Sequence, residues 1–169
     1  MVHIRRELPE DYESVYSVNM RAFGQDTEAK LVNRLREANA LILSLVALID
    51  ERVIGHIAFS PVTITDKDRE VDAIGLAPMA VIPEYQKKGI GSKLIKEGCK
   101  VLKEGGYYRV VVLGYAEYYS QFGFITAKKY GICWEHECQD EAFMIKSLRE
   151  GVFSGISGIV RFRPEFEDT

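Results

Sequence analysis

The residues of this chain best equipped for chemistry run from Met79 to Leu94: Met-Ala-Val-Ile-Pro-Glu-Tyr-Gln-Lys-Lys-Gly-Ile-Gly-Ser-Lys-Leu. An apolar run ends, a short polar turn follows, and two glycines open a helix. The first turn of a helix carries backbone N–H groups without internal partners, and the helix dipole adds partial positive charge there. Glycine removes the Cβ that would keep a diphosphate from those donors. Between Gln86 and Lys103 stand six lysines and one acidic residue, Glu97, in a chain whose net charge is −3. The chemistry offered is anion binding, and a diphosphate fits it. The plainer alternative is an ordinary strand-to-helix turn whose lysines solvate the outer helix face. A dinucleotide fingerprint would want a third glycine where Leu94 stands, and a Walker A loop would want Gly-Lys-Ser/Thr.

A second candidate is the tyrosine-rich segment Tyr115 to Phe124. One phenol there has the reference pKa, about 10, of a group that stays protonated at neutral pH and can donate a proton. Packing is the competing role, because Tyr115, Tyr118, Tyr119 and Phe122 crowd the same stretch.

The two strings together resemble the GNAT N-acetyltransferase superfamily. Gln86-x-x-Gly89-x-Gly91, preceded by Val81-x-Pro83, resembles its acetyl-CoA signature, Q/R-x-x-G-x-G/A. Tyr119-x-x-x-Gly123-Phe124 resembles its closing Y-x-x-x-G-F element. Glu28–Val32, Ala77–Val81 and the Gly-rich tail are similar to the YhbS-like bacterial and archaeal subgroup. The resemblance implies acetyl-CoA as donor, with the pyrophosphate on the amides of Lys87, Lys88, Gly89, Ile90, Gly91 and Ser92. It also implies pantetheine beside Met79, Ala80 and Val81, in a gap where the strand ending near Val81 splays from Arg109–Leu113. Val81 N–H is then a candidate to polarise the thioester carbonyl, and Tyr119 is the general acid for departing coenzyme A, with Tyr118 as runner-up.

The chain departs from the family pattern in two places. Ala73 to Ile82 carries no carboxylate, and Val112-Leu113-Gly114 stands where an Asn often precedes the acid tyrosine. Glu117, Asp72 and His56 are the remaining bases, each also readable as a solvated surface group. The expected activity is acetyl transfer to a primary amine of a small molecule or protein. The contrasting reading is a non-catalytic acyl-CoA-binding sensor or interaction module.

Positioning these groups requires a mixed α/β (α+β) fold. Helical periodicity marks Tyr12–Phe23 and Gly89–Glu104, and Thr27 reads as the cap of a helix carrying Leu31, Val32 and Leu35. Strands are expected at Ala40–Ile49, Val53–Ser60 with Val62–Thr65, Val71–Ile82, Arg109–Leu113, Phe124–Lys128, Ile132–Glu137, Ala142–Leu148 and Ile159–Phe162. With one clear crossover helix, the sheet should be mainly antiparallel. Pro78 cannot donate to a ladder, so a bulge or splayed edge is expected there. The 169 residues fit one domain, a motif-bearing core at about 3–148 followed by a Gly-rich extension, 149–169.

Composition narrows the partners. An acidic chain without a basic groove argues against nucleic acid, and its ten-residue longest apolar run, Ala40–Ile49, argues against a membrane span. No signal-peptide h-region and an odd three cysteines point to the cytoplasm. Cys133, His136 and Cys138 invite a zinc reading, but strand alternation would put Cys133 on the opposite face from the other two, so no metal is expected. Cys99 reads as core. The tail after Leu148 is open to completing a neighbour's sheet edge, which would give a homodimer.

Overall fold

A computed structural model describes residues 1–168. It contains nine strands in one mixed sheet and four α-helices. Strands β1 (His3–Arg6), β2 (Leu43–Ile49), β3 (Arg52–Asp66), β4 (Arg69–Val81), β5 (Arg109–Leu113), β6 (Ile125–Thr126), β7 (Ile132–Trp134), β8 (Phe143–Ser147) and β9 (Gly158–Arg161) are joined through α1 (Tyr12–Phe23), α2 (Thr27–Glu37), α3 (Ile90–Glu104) and α4 (Ala116–Tyr119). The order is β1-β2-β3-β4-β5-β8-β6, with β9 pairing β3 and β7. Pairing is antiparallel for β1–β2, β2–β3, β3–β9, β5–β8 and β6–β8, and parallel for β4–β5 and β7–β9. Among the described residues no helix is long and apolar enough to cross a membrane.

The chain packs into two compact units. One comprises Met1–Ser60, Ala77–Lys100 and the tail from Pro164; the other comprises Pro61–Leu76 and Val101–Arg163. In the first, Val15 and Val32 of α1 and α2 pack on Val46 and Leu48 of β2. The other face of those strands takes α3. A Cβ on Gly55 would stand 3.3 Å from Leu94 and 3.4 Å from the Ala47 Cβ, and a Cβ on Gly98 would lie 2.6 Å from the ring of Phe59. Glycine at 98 is thus a packing necessity, because α3 lies directly on a buried aromatic ring.

In the second unit Val62, Ile64, Val111, Ile132, Phe143, Ile145 and Val160 form the core, with Trp134 and Phe162 against it. Here the tail beyond Leu148 finds its place. β9 pairs in register with β3 at Thr63–Arg161, Ile64–Val160 and Thr65–Ile159, so it completes this chain's own sheet.

Other expectations are corrected at element ends. Thr27 begins α2, whose N-cap is Asp26. The expected strand Phe124–Lys128 shrinks to two residues before a 3-10 turn, and Ile132–Glu137 ends at Trp134, where the apolar side chains run out. No strand is legible at His3–Arg6, since only Ile4 there is apolar, yet it ladders onto β2. β4 continues through Pro78, whose preceding peptide bond is cis, and a register irregularity falls at Ala47/Leu48 of β2. The β4–β5 ladder comprises Ile74–Val110 and Gly75–Val111, so it ends three residues before Pro78.

Candidate functional site

The loop after β4 is built around two left-handed residues. Ile82 is buried and its N–H donates to the Ile54 carbonyl at 3.0 Å, anchoring the end of the strand. Pro83–Tyr85 then make one 3-10 turn. Gln86 leaves that turn extended, and its Nε2 donates back to the Val81 carbonyl at 2.8 Å, closing a ring over residues 81–86. Lys87 follows at φ 63° and Gly89 at φ 84°. A lysine in the left-handed region is uncommon, and such conformations concentrate at ligand sites. Left-handed residues at alternate positions turn successive N–H groups toward one side, a concavity that suits an anion. A Cβ on Gly89 would meet no atom within 4 Å, so its glycine serves backbone conformation and leaves the approach open. From Gly89 the helix begins, with Lys93 N–H donating to its carbonyl at 3.1 Å.

Each residue expected to meet the cofactor has a definite place. Met79 is half-buried, Ala80, Val81 and Ile90 are buried, Gly91 and Ser92 are half-buried, and Gln86, Lys87, Lys88 and Gly89 are exposed. The buried members set the backbone; the exposed ones present it. Glu84, three residues before Lys87, is neutralised by Arg21 of α1 and, at 3.9 Å, by Arg52. The Arg21 hydrogen bond holds its carboxyl below the usual carboxylate range. That ion pair joins residues 63 apart in the chain, a separation at which no local pattern announces it.

In the other unit Tyr119 ends the single turn of α4. The residue is 8 % exposed. Its ring meets Tyr118 and Phe124 edge-on, with centroids 5.2 and 5.5 Å away. A Cβ on Gly114 would stand 2.4 Å from Tyr119 Cε2, so glycine at 114 is what lets the ring lie against the chain leaving β5. Burial, and next the neighbouring Tyr118, push the Tyr119 phenol up to about 12. This group is therefore held neutral, as a proton donor must be. Tyr118, half-buried, touches both Tyr119 and Phe122 by its ring edge. The turn ends at Gly123, φ 89°.

The three possible bases fare differently. His56 is fully buried, which corrects its reading as a solvated group. Ser44 Oγ lies 2.8 Å from its Nε2 and Asn19 Nδ2 lies 3.2 Å from its Nδ1. Asn19 donates, so Nδ1 accepts and Nε2–H is given to Ser44. Burial first, and then the charge of Arg36, push the imidazole down to about 3. It is a structural group. Asp72 lies two residues before Ile74, level with Tyr108, whereas Leu113 and Gly114 stand at the other end of β5. At about 3.3 Å per residue that is roughly 16 Å from the Tyr119 end, too far for direct proton transfer. Glu117 is exposed on α4.

Cys133, His136 and Cys138 also need a correction. With β7 ending at Trp134, strand alternation does not govern them, and all three line one open depression of about 300 Å³. Among the described residues their ligand atoms are not gathered within 4.8 Å of one another. Cys99 is buried in α3, as its helical position implies.

Comparison with known proteins bears on this arrangement. A model of the family described as acetyltransferase (GNAT) domain matches residues 3–127. The uncharacterised N-acetyltransferase YhbS of Escherichia coli K12 is 38% identical over 164 residues, spanning 96% of this chain and 97% of that protein. The crystal structure of E. coli YhbS in complex with CoA superposes with a TM-score of 0.93 at 37% identity, covering 98% of this chain and 92% of that one. A GNAT family acetyltransferase from Brucella melitensis, in complex with acetyl-CoA, gives a TM-score of 0.80 at 36% identity, covering 98% of each.

Proposed function

Because the chain belongs to the GNAT acetyltransferase family, we propose that it transfers acetyl from acetyl-CoA to a primary amine of a small molecule or protein by direct attack in a ternary complex. The observation that carries the reading is the loop at 86–92: left-handed Lys87 and Gly89 open a 15-residue helix among lysines, with Glu84 just before the loop neutralised by Arg21. In this reading the amides of residues 87–92 hold the pyrophosphate, and the backbone of Met79, Ala80 and Val81 takes the pantetheine arm as an added strand would. An odd number of cysteines with no CxxC pair suits a reducing compartment such as the cytoplasm.

The reaction asks little of the side chains. A neutral amine attacks the thioester carbonyl, the carbonyl becomes a tetrahedral oxyanion, and its collapse expels coenzyme A as a thiolate. Holding both substrates together supplies much of the rate, and a backbone N–H such as that of Val81 stabilises the oxyanion. Tyr119 gives its phenolic proton to the departing sulfur; the amine's surplus proton leaves to water or to a base other than His56 and Asp72. A phenol held near 12 is a reluctant acid but never an absent one, since it is protonated at every physiological pH.

The test joins binding and turnover. Acetyl-CoA titrated calorimetrically should bind, and release of free thiol with a panel of primary amines should reveal an acceptor. Tyr119→Phe should then leave acetyl-CoA affinity unchanged and lower turnover by roughly 10²–10⁴-fold, whereas Tyr118→Phe should matter less. Binding without turnover of any amine would favour the non-catalytic module. Equal turnover by wild type and Tyr119→Phe, with chemistry rate-limiting, would remove Tyr119 from the mechanism.

A further inference from the structure

One cation reaches the Tyr119 turn from the sheet. Lys146 sits on β8 opposite Val110, its stem half-buried, and its Nζ donates to the carbonyl of Phe122. The same Nζ stands 5.9 Å from the centroid of the Phe124 ring and 3.2 Å from where a Cβ on Gly123 would be. These are the residues on which the Tyr119 turn closes. Gly123 is left-handed, Phe124 packs edge-on against the Tyr119 ring, and the backbone bond from Phe124 N–H to the Tyr119 carbonyl is long, 3.4 Å.

The final carbonyls of a helical segment lack internal partners, and a lysine ammonium is a good donor for them. Here Gly123 N–H closes on the Ser120 carbonyl at 3.2 Å, the Phe124 bond to Tyr119 is long, and the ammonium adds a direct donor at Phe122. Gly123 then has two reasons to be glycine: its left-handed backbone, and the room that the lysine head occupies. The four-carbon stem explains the choice of lysine, since it must rise from a strand to the end of a turn.

We propose that Lys146 is a positioning residue, which fixes the Phe122–Phe124 end of the turn and through it the orientation of the Tyr119 phenol. The inference rests on the reading of Tyr119 as general acid for its catalytic consequence, but not for its structural content.

The test uses the full chain carrying 3-fluorotyrosine, with the Tyr119 ¹⁹F line assigned as the one lost in Tyr119→Phe. Lys146→Met should shift or broaden that line, and Lys146→Arg should restore it. In turnover with acetyl-CoA and spermidine, L-lysine or tyramine as acceptor, Lys146→Met should lower kcat on the order of tenfold to a hundredfold, as about 1 Å of misplacement does. Acetyl-CoA affinity should stay within about twofold, and the double variant with Tyr119→Phe should be no slower than Tyr119→Phe alone, because the lysine acts through the phenol. An unmoved ¹⁹F line, or a kcat loss that adds in full to that of Tyr119→Phe, overturns the proposal. If Tyr119→Phe itself costs nothing, the general-acid reading falls, while the ¹⁹F comparison still decides whether Lys146 sets the ring. Lys146→Gln, shorter and with a neutral donor, serves the same comparison should Lys146→Met not fold.

Discussion

Replacing Gly114 by alanine tests whether the placement of Tyr119 matters. The new Cβ would stand 2.4 Å from Tyr119 Cε2 and 2.9 Å from Cδ2, where ordinary contact begins at 3.4 Å. The ring must therefore withdraw by about 1 Å, and Tyr118 and Phe124 restrict the directions open to it. A misplacement of about 1 Å at a reacting group costs on the order of 10²-fold in turnover. Stability should fall by less. Overpacking costs roughly 1–3 kcal/mol, and the stiffer unfolded chain returns roughly 0.4–1 kcal/mol of it at a backbone that alanine can adopt. The hydrogen bond from Gly114 N–H to the Ala142 carbonyl, 2.9 Å, survives the change. The assay is thiol release with the identified acceptor, well below the melting temperature, beside calorimetry of acetyl-CoA. We expect kcat to fall about a hundredfold with affinity unchanged. A folded Gly114→Ala protein with wild-type kcat and kcat/KM would refute the claim that this contact places a working phenol.

The remaining expectations concern the anion loop and the buried histidine. Gly91→Glu puts a negative charge near the diphosphate; two unit charges about 4 Å apart at an effective permittivity near 20 repel by about 4 kcal/mol. Calorimetric affinity for acetyl-CoA should thus fall roughly 10²–10³-fold in a folded protein, and unchanged affinity would move the pyrophosphate elsewhere. Neutralising Lys87, Lys88 or Lys93 singly should weaken binding by about 0.5–1 kcal/mol. That loss should fade near 1 M salt, where the screening length is about 3 Å, and a salt-independent loss would mean a specific contact. His56 has a folded pKa lowered from 6.5 to about 3, so the unfolded chain takes up a proton that the folded chain refuses. The stability it permits is present in full above pH 6.5 and is lost as pH falls toward 3, at up to about 1.4 kcal/mol per pH unit. Denaturant melts of wild type and His56→Gln should diverge across that window, and parallel curves would show that His56 is not the group responsible.

Much of this molecule was legible where one physical signal dominates. The apolar face of Tyr12–Phe23 marks α1 to the residue, and a glycine pair after an apolar run marks the opening of α3 within one residue. Burial of one face makes a period, and the period can be read. Where side chains do not alternate in burial, the reading fails. His3–Arg6 is an edge strand with one apolar residue that ladders onto β2, and Glu135–Glu137 lacks the apolar residues that would continue β7. Contacts distant in sequence were the least legible. Nothing local to Lys146 points to Phe122, 24 residues earlier, and nothing near His56 announces that Asn19 and Ser44 will enclose it. Gly114 was visible only as a missing asparagine; its contact with Tyr119 needs the three-dimensional turn.

The pairing of β9 with β3 bears on where this chain can be cut. The family match stops at residue 127, but β5 leans on Phe143–Ser147 through five register pairs, and Thr63–Thr65 leans on Ile159–Arg161. A fragment ending at 127 would leave both strands with a bare row of amides and carbonyls beside the apolar side chains of Val62, Ile64 and Val111. Such exposed edges recruit other chains. The matched interval is therefore not a transplantable module: excised alone it should precipitate, and a graft of the 86–92 loop into another scaffold must carry the closing strands with it.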